Sequence, residues 1–142
     1  MNVAADCLRA QIVAILSAWK MKPEMIEITA DVLLAADLSG IESHGIAIMT
    51  LYEEKMRAGI LQLQAEPRIV RQNMVTALID AGAGLGHTAS VMATRLATEK
   101  AKANGIGAVS VTNSHHFGIA GYYAKMIADR GLERFQSRYT LH

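Results

Sequence analysis

The sequence predicts an α/β fold in which a helical segment comes first and part of a mixed sheet with its helices follows. Three observations carry this expectation. Apolar residues recur at three- and four-residue steps through the N-terminal part, the spacing that gathers side chains on one face of a helix. Around Ile69 to Ile79 the pattern changes to β-branched residues and alternation. After that, a helical pattern, a short apolar run and a second helical pattern succeed one another, the order expected of a sheet with crossing helices.

The elements follow in order. Leu8, Ile12, Ile15, Leu16 and Trp19 share one face of a helix over residues 5–19, which Lys22-Pro23 breaks. Pro23 suits the first turn of a second helix, where its missing N–H is not needed, and Met25, Ile28, Val32, Leu33 and Ala36 continue it to Gly40. Ser43 stands before the pattern Ile48, Leu51, Tyr52, Met56 and is a candidate N-cap for a third helix that stops at Ala58-Gly59. These three helices read as a hairpin or small bundle.

Ile69-Val70-Arg71, a turn at Gln72-Asn73 and the alternating run from Val75 to Ile79 predict a pair of strands. The segment from Ala81 to Gly86 reads as a glycine-rich connection, and residues 87–103 as a helix closed by Asn104-Gly105. Ile106 to Thr112 has the texture of a buried strand, and residues 119–127 begin another helix. The division expected is a helical segment over 1–60, a partial α/β unit over 61–131, and an atypical tail over 132–142 with no clear periodicity.

Composition narrows the function classes. A chain of 142 residues, 51% of them hydrophobic, can bury roughly two-thirds of the surface it exposes when unfolded, so neither disorder nor a disulfide or metal staple is expected. Fourteen basic against 13 acidic side chains leave a net charge of +1, and their scatter gives no footprint for nucleic acid. Charged residues interrupt every apolar run before it could cross a bilayer. The single Cys7 and the lack of a signal-like start lead to the expectation of a cytoplasmic protein.

Two segments combine histidine with polar neighbours at an element boundary. In Glu42-Ser43-His44-Gly45 an imidazole that can exchange a proton near neutral pH lies beside a hydroxyl able to orient it. The plainer alternative is a helix cap followed by a surface histidine. In Asn113-Ser114-His115-His116-Phe117-Gly118 the histidines follow a strand and precede a helix, where ligands gather in α/β proteins. Neighbouring side chains of an extended chain point to opposite sides, so one of the two histidines faces a given pocket. The alternative here is a polar turn with one packed histidine.

Gly82-Ala83-Gly84-Leu85-Gly86 lies between strand and helix but reads G-x-G-x-G. His87 stands where a dinucleotide-binding loop needs glycine, and Asn113 stands where it needs an acid, so an ordinary connection is expected. The five histidines and one cysteine show no metal-ligand spacing. The methionines, interleaved with aliphatic residues, read as core filling.

The segment Ala36-Asp37-Leu38-Ser39-Gly40-Ile41-Glu42-Ser43-His44-Gly45 resembles the opening signature of the malate/L-lactate dehydrogenase family, which includes ureidoglycolate, sulfolactate, diketogulonate and piperideine-carboxylate oxidoreductases. Tyr52 with Arg57-Ala58-Gly59 fits its continuation. Gly105-Ile106-Gly107 to Val111, followed by Asn113-Ser114-His115-His116-Phe117-Gly118, resembles a second family segment in the right order. The resemblance runs from about residue 5 to Gly131.

It implies a dehydrogenase fold that is not a Rossmann domain, NAD or NADP as cofactor, a small 2-hydroxy or 2-oxo acid as substrate, and a homodimer in the full-length form. It makes His44 the proton donor to the substrate as hydride arrives, with Ser43 orienting its ring. His116 matches the acid/base of the ureidoglycolate branch. In the piperideine-carboxylate branch the segment matching His116, Phe117, Gly118, Ile119 and Ala120 is a loop on the cofactor, and both assignments stand.

Two departures accompany the resemblance. Many members have an arginine that pairs with the substrate carboxylate where this chain has Ile48. Members are also much longer, and beyond Gly131 they continue as an apolar strand where this chain reads Glu133-Arg134-Phe135-Gln136-Ser137-Arg138. The expectation is an N-terminal portion, truncated or frameshifted, that is incomplete as a fold and without full activity alone. The contrasting expectation is a non-catalytic helical module for oligomerisation or interaction, in which the histidines are incidental.

Overall fold

The computed structural model describes residues 3–131, so the tail expected over 132–142 lies outside the described residues. Its elements are α1 (Ala5–Ala18), α2 (Pro23–Leu38), two short 3-10 turns (Glu42–His44 and Ile46–Ile48), α3 (Met49–Arg57), β1 (Arg68–Gln72), β2 (Thr76–Gly84), α4 (Gly86–Asn104), β3 (Ala108–Ser114) and α5 (Ala120–Ala128). The α/β class and the helices-first order agree with the sequence expectation. The strands form one mixed sheet in the order β1-β2-β3, with β1 antiparallel and β3 parallel to β2.

Helices α1 to α3 fold as a unit because their apolar stripes meet. Ile12 and Leu16 from α1, Met25, Ile26, Ala30 and Leu33 from α2, and Met49 and Tyr52 from α3 make one buried cluster, closed by Leu61, Leu63 and Leu85. Each such aliphatic side chain contributes about 1.5–3 kcal/mol on burial. The other side of α2 supplies Val32 to a second cluster with Val91 and Tyr123, which joins the helical segment to α4 and α5.

The β1–β2 hairpin turns at Asn73, whose side-chain oxygen accepts the N–H groups of Val75 (3.0 Å) and Thr76 (2.7 Å). An Asx turn of this kind is what the Gln72-Asn73 expectation required. A parallel partner for β2 requires a crossover, and α4 provides it. Ile79, Ala81 and Ala89 are buried where this helix covers the sheet, with Val109 and Val111 packed beside them.

Three local expectations are corrected. Ser43 caps no helix: the chain makes two 3-10 turns before α3 begins at Met49, and no side-chain cap bond forms at either turn or at α3. The segment from Ala81 to Gly84 belongs to β2 rather than to a loose connection. There Asp80 Oδ1 accepts the Gly82 N–H at 2.8 Å and holds an irregularity in the ladder. Strand β3 is not a buried strand, since its residues alternate between half-buried and exposed and its last three are exposed.

Candidate active site

Because β2 and β3 run parallel, their carboxyl ends lie at the same end of the sheet, the usual place for ligands in such folds. The chain beyond each end is stitched to the other. His115 N–H donates to the Gly84 carbonyl at 2.9 Å, and Gly86 N–H donates to the His116 carbonyl at 2.8 Å. A side chain at Gly86 would not fit: a Cβ there would come within 2.6 Å of both Ser114 Oγ and Phe117 Cβ. This glycine therefore admits the protein's own β3–α5 segment.

The stitching aims the two neighbouring histidines apart, as extended backbone requires. His115 turns to the Ile60 carbonyl, 3.1 Å from its Nε2. His116 turns inward, where Tyr52 from α3 lies 2.6 Å from its Nδ1 and the Gly118 N–H lies 3.3 Å from the same atom. A backbone N–H can only donate, so Nδ1 is the acceptor, the Tyr52 hydroxyl donates to it, and the neutral ring carries its proton on Nε2. Burial pushes the Tyr52 phenol well above its ordinary pKa, so the hydroxyl keeps the proton it donates.

His44 arrives from the other side, its ring centroid 5.0 Å from that of His116. Two contacts place it. Asp37, near the end of α2, accepts the Ile46 N–H at 2.9 Å and ties the 3-10 turns to α2. Ser43 Oγ lies 2.9 Å from His44 Nδ1. His44 is half-buried and Ser43 exposed, which leaves the imidazole accessible. The two histidine segments, more than 70 residues apart in sequence, thus share one site.

Of the segment from His116 to Ala120, the Phe117 carbonyl accepts the hydroxyl of the buried Tyr123, Ile119 is the N-terminal cap residue of α5, and Ala120 opens the helix. Gly118 has φ +81°, and a Cβ there would lie 2.3 Å from Val32 Cγ1. Positive φ and lack of room act together, so Gly118→Ala is expected to lower stability by about 2–4 kcal/mol. A fall in the urea midpoint with unchanged m-value would show this; an unaltered midpoint would contradict the packing described.

Sequence reasoning gave no site role to three residues that the structure brings here. Tyr52 read as one position of a helical stripe and as part of the signature's continuation, and Asp37 as part of the signature itself, both without a task. His87 read as a mismatch to a glycine motif, yet it begins α4 fully buried, with its ring centroid 5.9 Å from that of His116 and 6.1 Å from that of Tyr52. Its pKa is pushed down to about 3 by burial and, secondarily, by His116. Ile48 is packed against the first apolar cluster and brings no charge to the site.

The sequence from residue 3 to 135 matches the family model for malate/L-lactate dehydrogenase. A malate dehydrogenase of Pyrococcus abyssi is 40% identical over 131 residues, which are 92% of this chain and 36% of that protein. An L-sulfolactate dehydrogenase of Methanothermobacter thermautotrophicus is 42% identical over 112 residues, 79% of this chain and 33% of its own length. The solved structure of malate dehydrogenase from Pyrococcus horikoshii superposes with a TM-score of 0.87 at 40% identity, covering 92% of this chain and 38% of that one. The chain thus spans little more than a third of the length of these relatives, and within that span it belongs to the malate/L-lactate dehydrogenase family.

Proposed function

We propose that this chain is the N-terminal portion of an NAD- or NADP-dependent oxidoreductase that interconverts 2-hydroxy and 2-oxo acids. The observation that carries the reading is the meeting of His44 and His116, 5.0 Å apart between ring centroids, at the carboxyl ends of two parallel strands. Family membership supports the same chemistry.

In this reading His44 gives a proton to the substrate oxygen in the reductive direction and recovers it in the oxidative one. Ser43 holds its Nδ1, which leaves Nε2 for the substrate. His116, fixed through Nδ1 by Tyr52 and Gly118, carries its proton on a buried Nε2 beside His44 and would polarise the same oxygen once substrate enters between them. Each positioned acid or base of this kind accounts for about 10²–10⁴-fold in rate. Ile48 cannot pair with the substrate carboxylate as an arginine would, so that charge is met elsewhere in the enzyme.

The nicotinamide, when bound, supplies or removes the hydride. Residues His116, Phe117, Gly118, Ile119 and Ala120 would border it, with the His116 and Phe117 rings 6.5 Å apart between centroids and His116 beside His44. With the space at Gly86 taken by Ser114, His115 and Phe117, pyrophosphate recognition falls to another part of the full-length enzyme. In this reading the full-length enzyme works in the cytoplasm as a homodimer.

Two measurements test the reading. Joined to the complementary length of a family dehydrogenase, this chain is expected to give an enzyme that oxidises NADH or NADPH with small 2-oxo acids; a folded but inert chimera would count against it. Residues 1–142 alone are expected to lack tight dinucleotide binding. Calorimetry showing micromolar affinity for either reduced cofactor would place the cofactor site within this chain and overturn that part.

A further inference from the structure

His87 is used by no step above, and its surroundings are unusual for a buried polar side chain. The ring is fully buried, and neither Nδ1 nor Nε2 has a hydrogen-bond partner among the described residues. It lies in the first turn of α4, where the exposed N–H dipoles disfavour an added positive charge. A neutral imidazole has one donor and one acceptor, and buried groups of this kind are nearly always bonded to protein or ordered water. An aliphatic residue of similar volume would fill the space without leaving two polar atoms unmet.

The neighbours narrow what could meet them. Tyr52 stands edge-on to His87, with 69° between the rings. Its hydroxyl hydrogen is committed to His116 Nδ1, and its oxygen keeps lone pairs that can accept. Gly118, whose N–H also reaches His116, lies over the Cδ2–Nε2 edge of His87, 3.3 and 3.4 Å from where its Cβ would be. The two unmet nitrogens of His87 therefore lie in buried surroundings beside the Tyr52 and His116 rings, where an ordered water is the partner such groups commonly take.

We propose that His87 is a positioning residue that holds one ordered water against the Tyr52 hydroxyl, so that a chain from His87 through water and Tyr52 to His116 Nδ1 joins the long Gly118 contact in fixing the tautomer and direction of the His116 ring, neither sufficing alone. The water accepts from or donates to His87 according to its tautomer, and donates to Tyr52. No net charge enters the chain. The bearing on catalysis rests on the role given to His116 above, but the arrangement itself does not.

The test uses the 142-residue chain labelled with ¹⁵N and reads ring nitrogens rather than activity. In the wild type, a nuclear Overhauser contact is expected between the His87 ring protons and a long-lived water, with His116 as a single Nε2–H tautomer. His87→Gln, whose amide also donates and accepts, is expected to keep that tautomer. His87→Leu is expected to turn His116 into a mixture, with Nδ1 and Nε2 shifts drawn together. No water contact in the wild type would overturn the proposal even if His87→Leu failed to fold. So would an unmixed His116 in a folded His87→Leu protein. Because no cofactor or substrate is added, neither result depends on whether the enzyme reading holds.

Discussion

In an active protein carrying this segment, His44→Ala is expected to lower the rate of hydride transfer to a 2-oxo acid by about 10²–10⁴-fold, with a much smaller change in cofactor affinity. The asymmetry follows from where the side chain sits. Among the described residues the His44 ring is hydrogen-bonded through Nδ1, to Ser43, and it lies 5.0 Å from the His116 ring between centroids. Removing it deletes a proton donor without disturbing a buried element. His116→Ala is expected to act on both quantities, because His116 is bonded to Tyr52 and Gly118 and belongs to the segment placed against the nicotinamide. The two losses should not add in the double variant, since both side chains serve one proton transfer. Stopped-flow measurement of reduced-cofactor oxidation separates hydride transfer from binding. Unchanged hydride transfer in His44→Ala would remove that residue from the chemistry.

The parts of this molecule that could be read from sequence are those set by local period and backbone chemistry. Pro23 at the start of α2, the stripes of α1 and α2, the Asn73 turn and the end of α4 at Asn104-Gly105 all depend on neighbours within a few residues. The pairing of His44 with His116 was legible only as two motif segments, each beside an element boundary. What could not be read depends on distant partners. Ser43 lost its expected cap because Asp37 holds the following turns in 3-10 form, and the hydroxyl then turns to the adjacent imidazole. Asp80 draws the glycine-rich run into β2 through the Gly82 N–H and the Asn113 side chain, contacts that glycine content alone does not reveal. Tyr52 meets His116 across 64 positions of sequence, and nothing in a helical stripe marks one aromatic residue for that task.

His87 also makes the stability of the fold depend on pH in a way that surface groups do not. Its pKa in the folded state is pushed down to about 3, by burial first and by His116 second. In the unfolded chain it returns to about 6.5. Between these values the unfolded state binds the extra proton, so stability is full above about pH 6.5 and falls as the pH drops toward 3. For one such group the loss between pH 7 and pH 5 is about 2 kcal/mol, a large part of a domain's typical 5–15 kcal/mol. Asp80 does not confuse the measurement, although Gly82, Asn113 and Arg68 hold its carboxyl below the usual range. Its contribution fades only as the pH falls below the ordinary carboxylate range. Urea unfolding of the wild-type chain at the two pH values is therefore expected to show the full loss. His87→Gln, in which nothing titrates at this position, should lose about 2 kcal/mol less over the same interval. If both proteins lost stability equally, the buried ring would not be the neutral imidazole inferred here. The same burial that makes the fold sensitive to acid keeps His87 uncharged at neutral pH.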